Sequence, residues 1–224
     1  MSLLGGAVLA VWNDIAPEAR SEFMEWHNRE HIPERMAITG FRRGRRYIAR
    51  EGAPEYFTLY EVDNVKIFAS AEYLERLQNP SDWTRRVANR YFSNNSRGVC
   101  PVILSLGNGD GGAAITLRFD AAPGREGELR THLAQALPLL ETMIGVTGVH
   151  LCIADPATSA VQAAQLKGRA VGIVNWVVMI EGIDGAAVNS ACDRLLAAPP
   201  EQFGAAGPIS RGLYVLEISR SKDA

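Results

Sequence analysis

Two histidines and a glutamate lie within five residues of one another in Trp26-His27-Asn28-Arg29-Glu30-His31-Ile32-Pro33. Imidazole titrates closest to neutrality, and a neighbouring carboxylate fixes its tautomer and favours its protonated form, so His27, His31 and Glu30 suit acid–base work. At 100° per residue, Phe23, His27, Glu30 and His31 share an arc of about a third of a helix circumference. An ordinary helix fills that arc with leucine. The alternative reading is a satisfied core, in which each histidine donates to a carbonyl or to Glu30, or only braces the turn at Pro33.

Other residues can join this set. Asn13 closes the first apolar stretch, where it would hold a carbonyl or enolate oxygen, or else make a turn at Asn13-Asp14. In Phe41-Arg42-Arg43-Gly44-Arg45-Arg46-Tyr47, alternation sets Arg43, Arg45 and Tyr47 on one face and Arg42 and Arg46 on the other. Such arginines clamp a carboxylate, or protect a strand edge by charge. All but four of the Phe, Trp and Tyr residues precede Gly107, and pockets are lined by such rings. Trp26, Tyr60 and Trp83 complete the candidate binding residues, with Trp83 on a rim formed within residues 82–95.

The chain has 224 residues, 47% of them hydrophobic, enough for one large domain or two of about 110 residues. A net charge of −2 without basic runs excludes the electrostatic footprint of a nucleic-acid binder. Three widely spaced cysteines, Cys100, Cys152 and Cys192, read as buried thiols in a reducing compartment. The apolar stretch from Leu3 to Trp12 lacks a basic leader and is too short to span a bilayer, so a cytoplasmic protein without membrane contact is expected.

The chain also matches itself. Gly5-Gly6-Ala7-Val8 through Asp14 aligns with Gly111-Gly112-Ala113-Ala114 through Asp120, Ile38-Thr39-Gly40-Phe41 with Val146-Thr147-Gly148-Val149, and Ser96-Arg97-Gly98-Val99 with Ser210-Arg211-Gly212-Leu213. Residues 61–80 align with 181–200. Each half reads as a strand (7–13; 113–119), a helix opened by Pro17 or Pro123-Gly124, two strands (41–50 and 56–62; 149–154 and 171–183), a helix (66–77; 186–197) and a last strand (99–106; 213–219). That order, βαββαβ, is ferredoxin-like. The expected fold is α+β: two tandem repeats, residues 1–107 carrying the site and 108–224 as structural partner, packed sheet to sheet. A longer connection around Pro156 to Gly168 is expected on the surface of the second half.

This topology, its tandem copy and the Trp26-His27…Glu30-His31-Ile32-Pro33 stretch resemble the dimeric α/β-barrel superfamily, near its EthD-like members. The fold resemblance covers almost the whole chain and the motif only residues 26–47. It implies cofactor-independent monooxygenases, muconolactone-type isomerases, haem enzymes or binding proteins, so fold is restricted more than reaction. The H-x-x-E-H spacing of His27 to His31 also fits zinc peptidases, but Pro33 follows directly and no third ligand is placed, so no metal is assigned. Gly107-Asn108-Gly109-Asp110-Gly111 fits a pattern of dye-decolourising peroxidases, and His150 is the remaining haem candidate. Both are read as structural, and no cofactor is expected.

The repeat supplies an internal control. Leu129, Leu133, Ala136 and Leu137 occupy the positions of Phe23, His27, Glu30 and His31, so the second half is apolar where the first is polar. The reading is an acid–base isomerase or cofactor-independent monooxygenase acting on a hydrophobic, oxygenated or aromatic small molecule. A non-catalytic binding protein, or haem or metal bound through the same histidines, are the alternatives. The assembly is a monomeric pseudo-dimer or a homodimer.

Overall fold

The computed structural model describes residues 3–155 and 171–222. Nine strands are seen: β1 (Ala7–Ile15), β2 (Phe41–Gly52), β3 (Tyr56–Val62), β4 (Phe92–Gly107), β5 (Ala113–Ala121), β6 (Val146–Ile153), β7 (Gly172–Ile173), β8 (Trp176–Gly182) and β9 (Ala205–Ser221). The pairing order β1-β3-β2-β9-β5-β8-β6-β4 closes through β4 onto β1, giving an eight-stranded antiparallel barrel, and β7 adds to β4 in parallel. Within the first half the order is β4-β1-β3-β2; within the second it is β9-β5-β8-β6. Closure comes from β2 with β9 and β6 with β4.

β4 and β9 run longer than the apolar pattern indicates. Each pairs with the first strand of its own half and with the second strand of the other, which recruits polar residues such as Ser93 and Ser96 into the ladder. The expected single strand over 171–183 is instead the short β7 followed by β8. The connection around Pro156 to Gly168 lies outside the described residues.

Helices cover the outside. In the first half these are α1 (Arg20–Trp26), a π turn (His27–His31), α2 (Ile32–Ala37), α3 (Ala71–Gln78) and α4 (Asp82–Arg90); in the second, α5 (Glu126–Glu141) and α6 (Gly185–Leu195). α4 lies within residues 82–95, where the sequence places a rim. Ser81 caps it by accepting from the Thr84 N–H at 2.9 Å.

Side chains alternate between two cores. Val8, Ala10, Trp12, Tyr47, Phe57 and Leu59 point into the barrel, where they meet Ala114, Val177, Met179 and Tyr214 of the second half. Leu9, Tyr60 and Val62 point outward beneath the helices of the first half, as Ile115, Leu117, Val178 and Ile180 do in the second.

The barrel interior also holds charge. β3 sets Glu61 opposite Val8 and β8 sets Glu181 opposite Ala114, so the two glutamates occupy matching positions. Arg45 bridges them: Nη2 lies 3.0 Å from Glu61 Oε1, and Nη1 donates to Glu181 Oε1. Tyr47 donates to Glu181 at 3.0 Å and His150 Nε2 lies 3.3 Å from its other oxygen. Arg43 forks onto Glu61 and reaches Asp110 of the glycine-rich joint at 2.5 Å. Arg45, Glu61, Glu181 and His150 are fully buried. Burial would raise the Glu181 carboxyl, but Arg45, His150 and Tyr47 outweigh it and hold it at about 2.

Breaking a buried pair from one side leaves an uncompensated charge, so Glu181→Ala should cost about 3 kcal/mol or more. Urea unfolding at neutral pH checks this, and an unchanged midpoint would show that the barrel closes without the bridge.

Candidate functional site

The stretch that carries the histidines is not a regular α-helix. Residues 27–31 form a π turn in which the Ile32 N–H reaches back five residues to the His27 carbonyl. Pro33, with no N–H to donate, sits at the start of α2 and favours such a local rearrangement of the hydrogen-bond ladder. The wider turn changes which side chains meet. Glu30 swings away from both histidines and accepts from Ser81 Oγ at 2.5 Å and Thr84 Oγ1 at 3.2 Å, anchoring α4. Glu34, one turn later, becomes the carboxylate beside His31, with Oε2 4.0 Å from its Nδ1.

The two histidines part company. His27 is buried with both nitrogens engaged: Nδ1 lies 3.2 Å from Arg46 Nη1, and Nε2 3.2 Å from the Tyr60 hydroxyl. A guanidinium only donates, so the neutral ring accepts on Nδ1 and gives its Nε2 proton to Tyr60. That leaves the Tyr60 hydroxyl hydrogen for a further acceptor. Arg46 is fixed in turn by Glu217 at 2.8 Å and Asn28 at 2.9 Å. Gly44 lies under the Tyr60 ring, where a Cβ would stand 3.1 Å from two ring carbons.

His31 has no such satisfaction. Its Nδ1 is buried without a hydrogen-bond partner, and its ring lies 4.4 Å from that of Trp26, stacked against it. Burial, and then the nearby positive charges, push both imidazoles well below their ordinary value: Arg46 acts on His27, and Arg35 followed by His27 on His31. Both rings are therefore neutral at pH 7.

His31, Trp26 and Tyr60 line a cleft of about 500 Å³ between the helices and the outer face of the first half's sheet. Leu9 and Val11 form its floor, Arg35, Tyr73, Arg76, Leu77, Thr84, Arg85 and Asn89 its helical walls, and residues from Phe92 to Arg97 close one side. Among the described residues, no aspartate or glutamate lines it. The matching place in the second half is filled by Leu129, Leu133, Leu137 and Leu140, leaving a gap of only about 20 Å³.

The remaining candidates lie elsewhere. Arg43, Arg45 and Tyr47 share one face, as alternation indicates, but that face is the barrel interior. Asn13 is buried on the helix side, where its amide reaches only the Asp14 carbonyl, at 3.5 Å. Trp83 does not line the cleft, although its neighbours Thr84 and Arg85 do. Glu34, Arg35 and Tyr73 carry no motif; for Glu34 and Arg35 the signal that could have found them is their spacing of three and four residues from His31 along a helix re-phased at Pro33, and Tyr73, on α3, has none.

Among the described residues no three His, Cys, Asp or Glu side chains converge as a metal set. His31 is the single imidazole at the cleft, so a haem would have that one nitrogen donor, while His150 is sealed between Ser105 and Glu181. No described helix is long and apolar enough to cross a membrane.

No protein-family model and no curated protein matches the sequence. Solved structures do match. A protein of Fusobacterium nucleatum titled a "putative monooxygenase" superposes with a TM-score of 0.62 at 10% identity, over 98% of this chain and 96% of that one. An anthrone oxidase-like protein gives 0.62 at 14% identity, over 100% and 97%. A haem-binding protein of Thermus thermophilus gives 0.53 at 14% identity, over 94% and 91%. The chain therefore has the dimeric α/β-barrel fold, and at these identities the likeness speaks for fold alone.

Two predictions follow from the histidine geometry. Replacing His31 by leucine, the residue of the second half, should raise stability by about 1 kcal/mol, whereas His27→Leu should lower it by about 1–3 kcal/mol because it strands Arg46 and Tyr60. Urea midpoints at constant slope distinguish them. Because both histidines titrate lower in the folded state, the unfolded chain binds more protons below pH 6.5. Stability is therefore full above about pH 6.5 and falls below it, by up to about 1.4 kcal/mol per pH unit for each histidine. Unfolding curves at about pH 7.5 and about pH 5.5 should show this loss, reduced in His27→Leu/His31→Leu.

Proposed function

We propose that this protein is an enzyme that removes a proton from an activated carbon or phenol of a flat, oxygenated aromatic molecule held in the cleft. The carrying observation is that His31, neutral and without an internal hydrogen bond on Nδ1, faces the same cleft as a Tyr60 hydroxyl whose orientation His27 and Arg46 fix. With Nδ1 turned toward Glu34, Nε2 is the nitrogen left to act as base, and the carboxylate stabilises the imidazolium that results. The 4.0 Å separation is longer than a hydrogen bond, as catalytic pairs without substrate commonly are. Tyr60, kept protonated by burial, donates to the oxyanion that develops.

The resulting carbanion or phenolate has two outcomes. Reprotonation at another atom is isomerisation; reaction with dioxygen is cofactor-independent oxygenation. The fold neighbours named for monooxygenase and anthrone oxidase activity support the second. In this reading the chain is a tandem pair of ferredoxin-like units near the EthD-like branch, with residues 1–107 holding the site and 108–224 replacing the second subunit of a dimer. The alternative, binding without turnover, uses the same cleft.

Anthrone is the first probe: it carries a carbonyl and an activated methylene on a flat tricycle. Its conversion by dioxygen to anthraquinone and water, two hydrogens lost and one oxygen gained, is read by absorbance. His31→Ala should lower kcat by about 10²–10⁴-fold and Tyr60→Phe by about 10²-fold. The wild-type rate should fall only on the acid side, as His31 protonates below its ordinary range. Anthrone recovered unchanged, or full activity in His31→Ala, would overturn the reading.

A further inference from the structure

The cleft holds a cation with no anion. Arg35 is 6% exposed and pairs with no carboxylate among the described residues. Its Nη1 is buried without a hydrogen-bond partner, while its guanidinium lies over the Tyr73 ring, 5.4 Å from the centroid. The neighbouring Glu34 is directed to His31 and to Arg76, the latter at 3.9 Å. The other arginines of the cleft are different in kind. Arg76 is half exposed and has that carboxylate near it, Arg85 is spent on Asp82 and the Pro80 carbonyl, and Arg97 has a partner of its own.

Buried charges in folded proteins are paired, because leaving water uncompensated is costly. A buried guanidinium that lines a cleft without acidic residues among the described ones, and has a nitrogen left unbonded, is short of one ligand, and its planar fork matches a carboxylate. Aromatic walls, Trp26, Tyr73 and Phe92, stand around the same space.

We infer that the natural ligand is an aromatic acid, its carboxylate seated on Arg35 and its ring between the aromatic walls, within reach of His31 and Tyr60. This rests on the proton-abstraction reading for the use of the ring, but the carboxylate preference stands on Arg35 alone. It also gives a reason for a neutral His31: a cationic imidazole beside Arg35 would be repelled, and arrival of the carboxylate relieves that repulsion as the base takes up its proton.

The test is binding, without turnover. Naphthalene-2-carboxylate and its neutral isostere naphthalene-2-carboxamide are titrated against the full chain, following calorimetry and intrinsic tryptophan fluorescence, to which Trp26 of the cleft contributes. The carboxylate should bind at least about tenfold more tightly, and added salt should weaken the carboxylate only. Arg35→Gln should bring the carboxylate down to the affinity that the same variant has for the carboxamide, and Arg35→Lys should restore part of the difference. Thermal unfolding of Arg35→Gln without ligand should be no lower than wild type, since no internal ion pair is lost. Equal affinities for acid and amide, or a preference that survives Arg35→Gln, would overturn the inference. A midpoint that falls sharply in Arg35→Gln would do so too, by showing that the arginine serves the fold. Because anthrone carries no acid, its turnover and this preference can fail separately.

Discussion

Arg45 lies at the centre of the barrel between two glutamates, one from each half, and the surrounding structure depends on how that charge is satisfied. A cation with no exposed surface is tolerable only if its partners are brought to it; Glu61 comes from the adjacent β3, but Glu181 arrives only when the two halves meet through β2 with β9 and β6 with β4. The bridge thus ties closure of the barrel to register. A one-residue slip in β8 would turn Glu181 outward into the leucine-rich layer and leave Arg45, Tyr47 and His150 without their common acceptor. An apolar interior would tolerate such a slip more readily, because its contacts are not directional.

That use of the inner face decides where ligand chemistry can go. Arg43 and Arg45 are committed to Glu61, Asp110 and Glu181, so they are not available to a substrate although their residue type suggests it. The outer face under the helices is what remains, and the halves use it differently. α5 continues as an α-helix through Pro138 and packs Leu129, Leu133, Leu137 and Leu140 against the sheet. The first half breaks its helix with a π turn, adds α4, and keeps an open volume between them. The same architecture is filled on one side and hollow on the other.

Much of this was legible in the sequence, and the misses have physical causes. The order of strands along the chain, the helices other than α4 and the polar substitution in the first half follow from hydrophobic periodicity, which reports burial. Periodicity does not report which buried side of a sheet faces which core; Arg43, Arg45 and Tyr47 were grouped correctly, and their direction depended on how the two sheets meet. Nor does it report a change of helical pitch. At 100° per residue Glu30 belongs with the histidines, but one widened turn moves it to Ser81 and brings in Glu34. Pro33 was visible as a disturbance, yet only the resulting hydrogen-bond pattern shows its consequence. Arg35 could not be singled out, since a buried arginine without a carboxylate is a property of its surroundings and not of its neighbours in the chain.

Two histidines four residues apart would be expected to act alike, and the π turn between them is why they do not. His27 is consumed by structure: Arg46 fixes its tautomer, and it passes its remaining proton to Tyr60, so its effect on the cleft is indirect, through a hydroxyl that it orients. His31 is left with an unbonded nitrogen beside a carboxylate that is near but not in contact. A fully bonded pair would be more stable and chemically inert, because each proton would already have its partner. Satisfaction of one imidazole and deprivation of the other leaves an oriented hydroxyl and an unbonded ring nitrogen on neighbouring residues that line one cleft. The unbonded nitrogens of His31 and Arg35 lie apart from the charge network of the barrel interior.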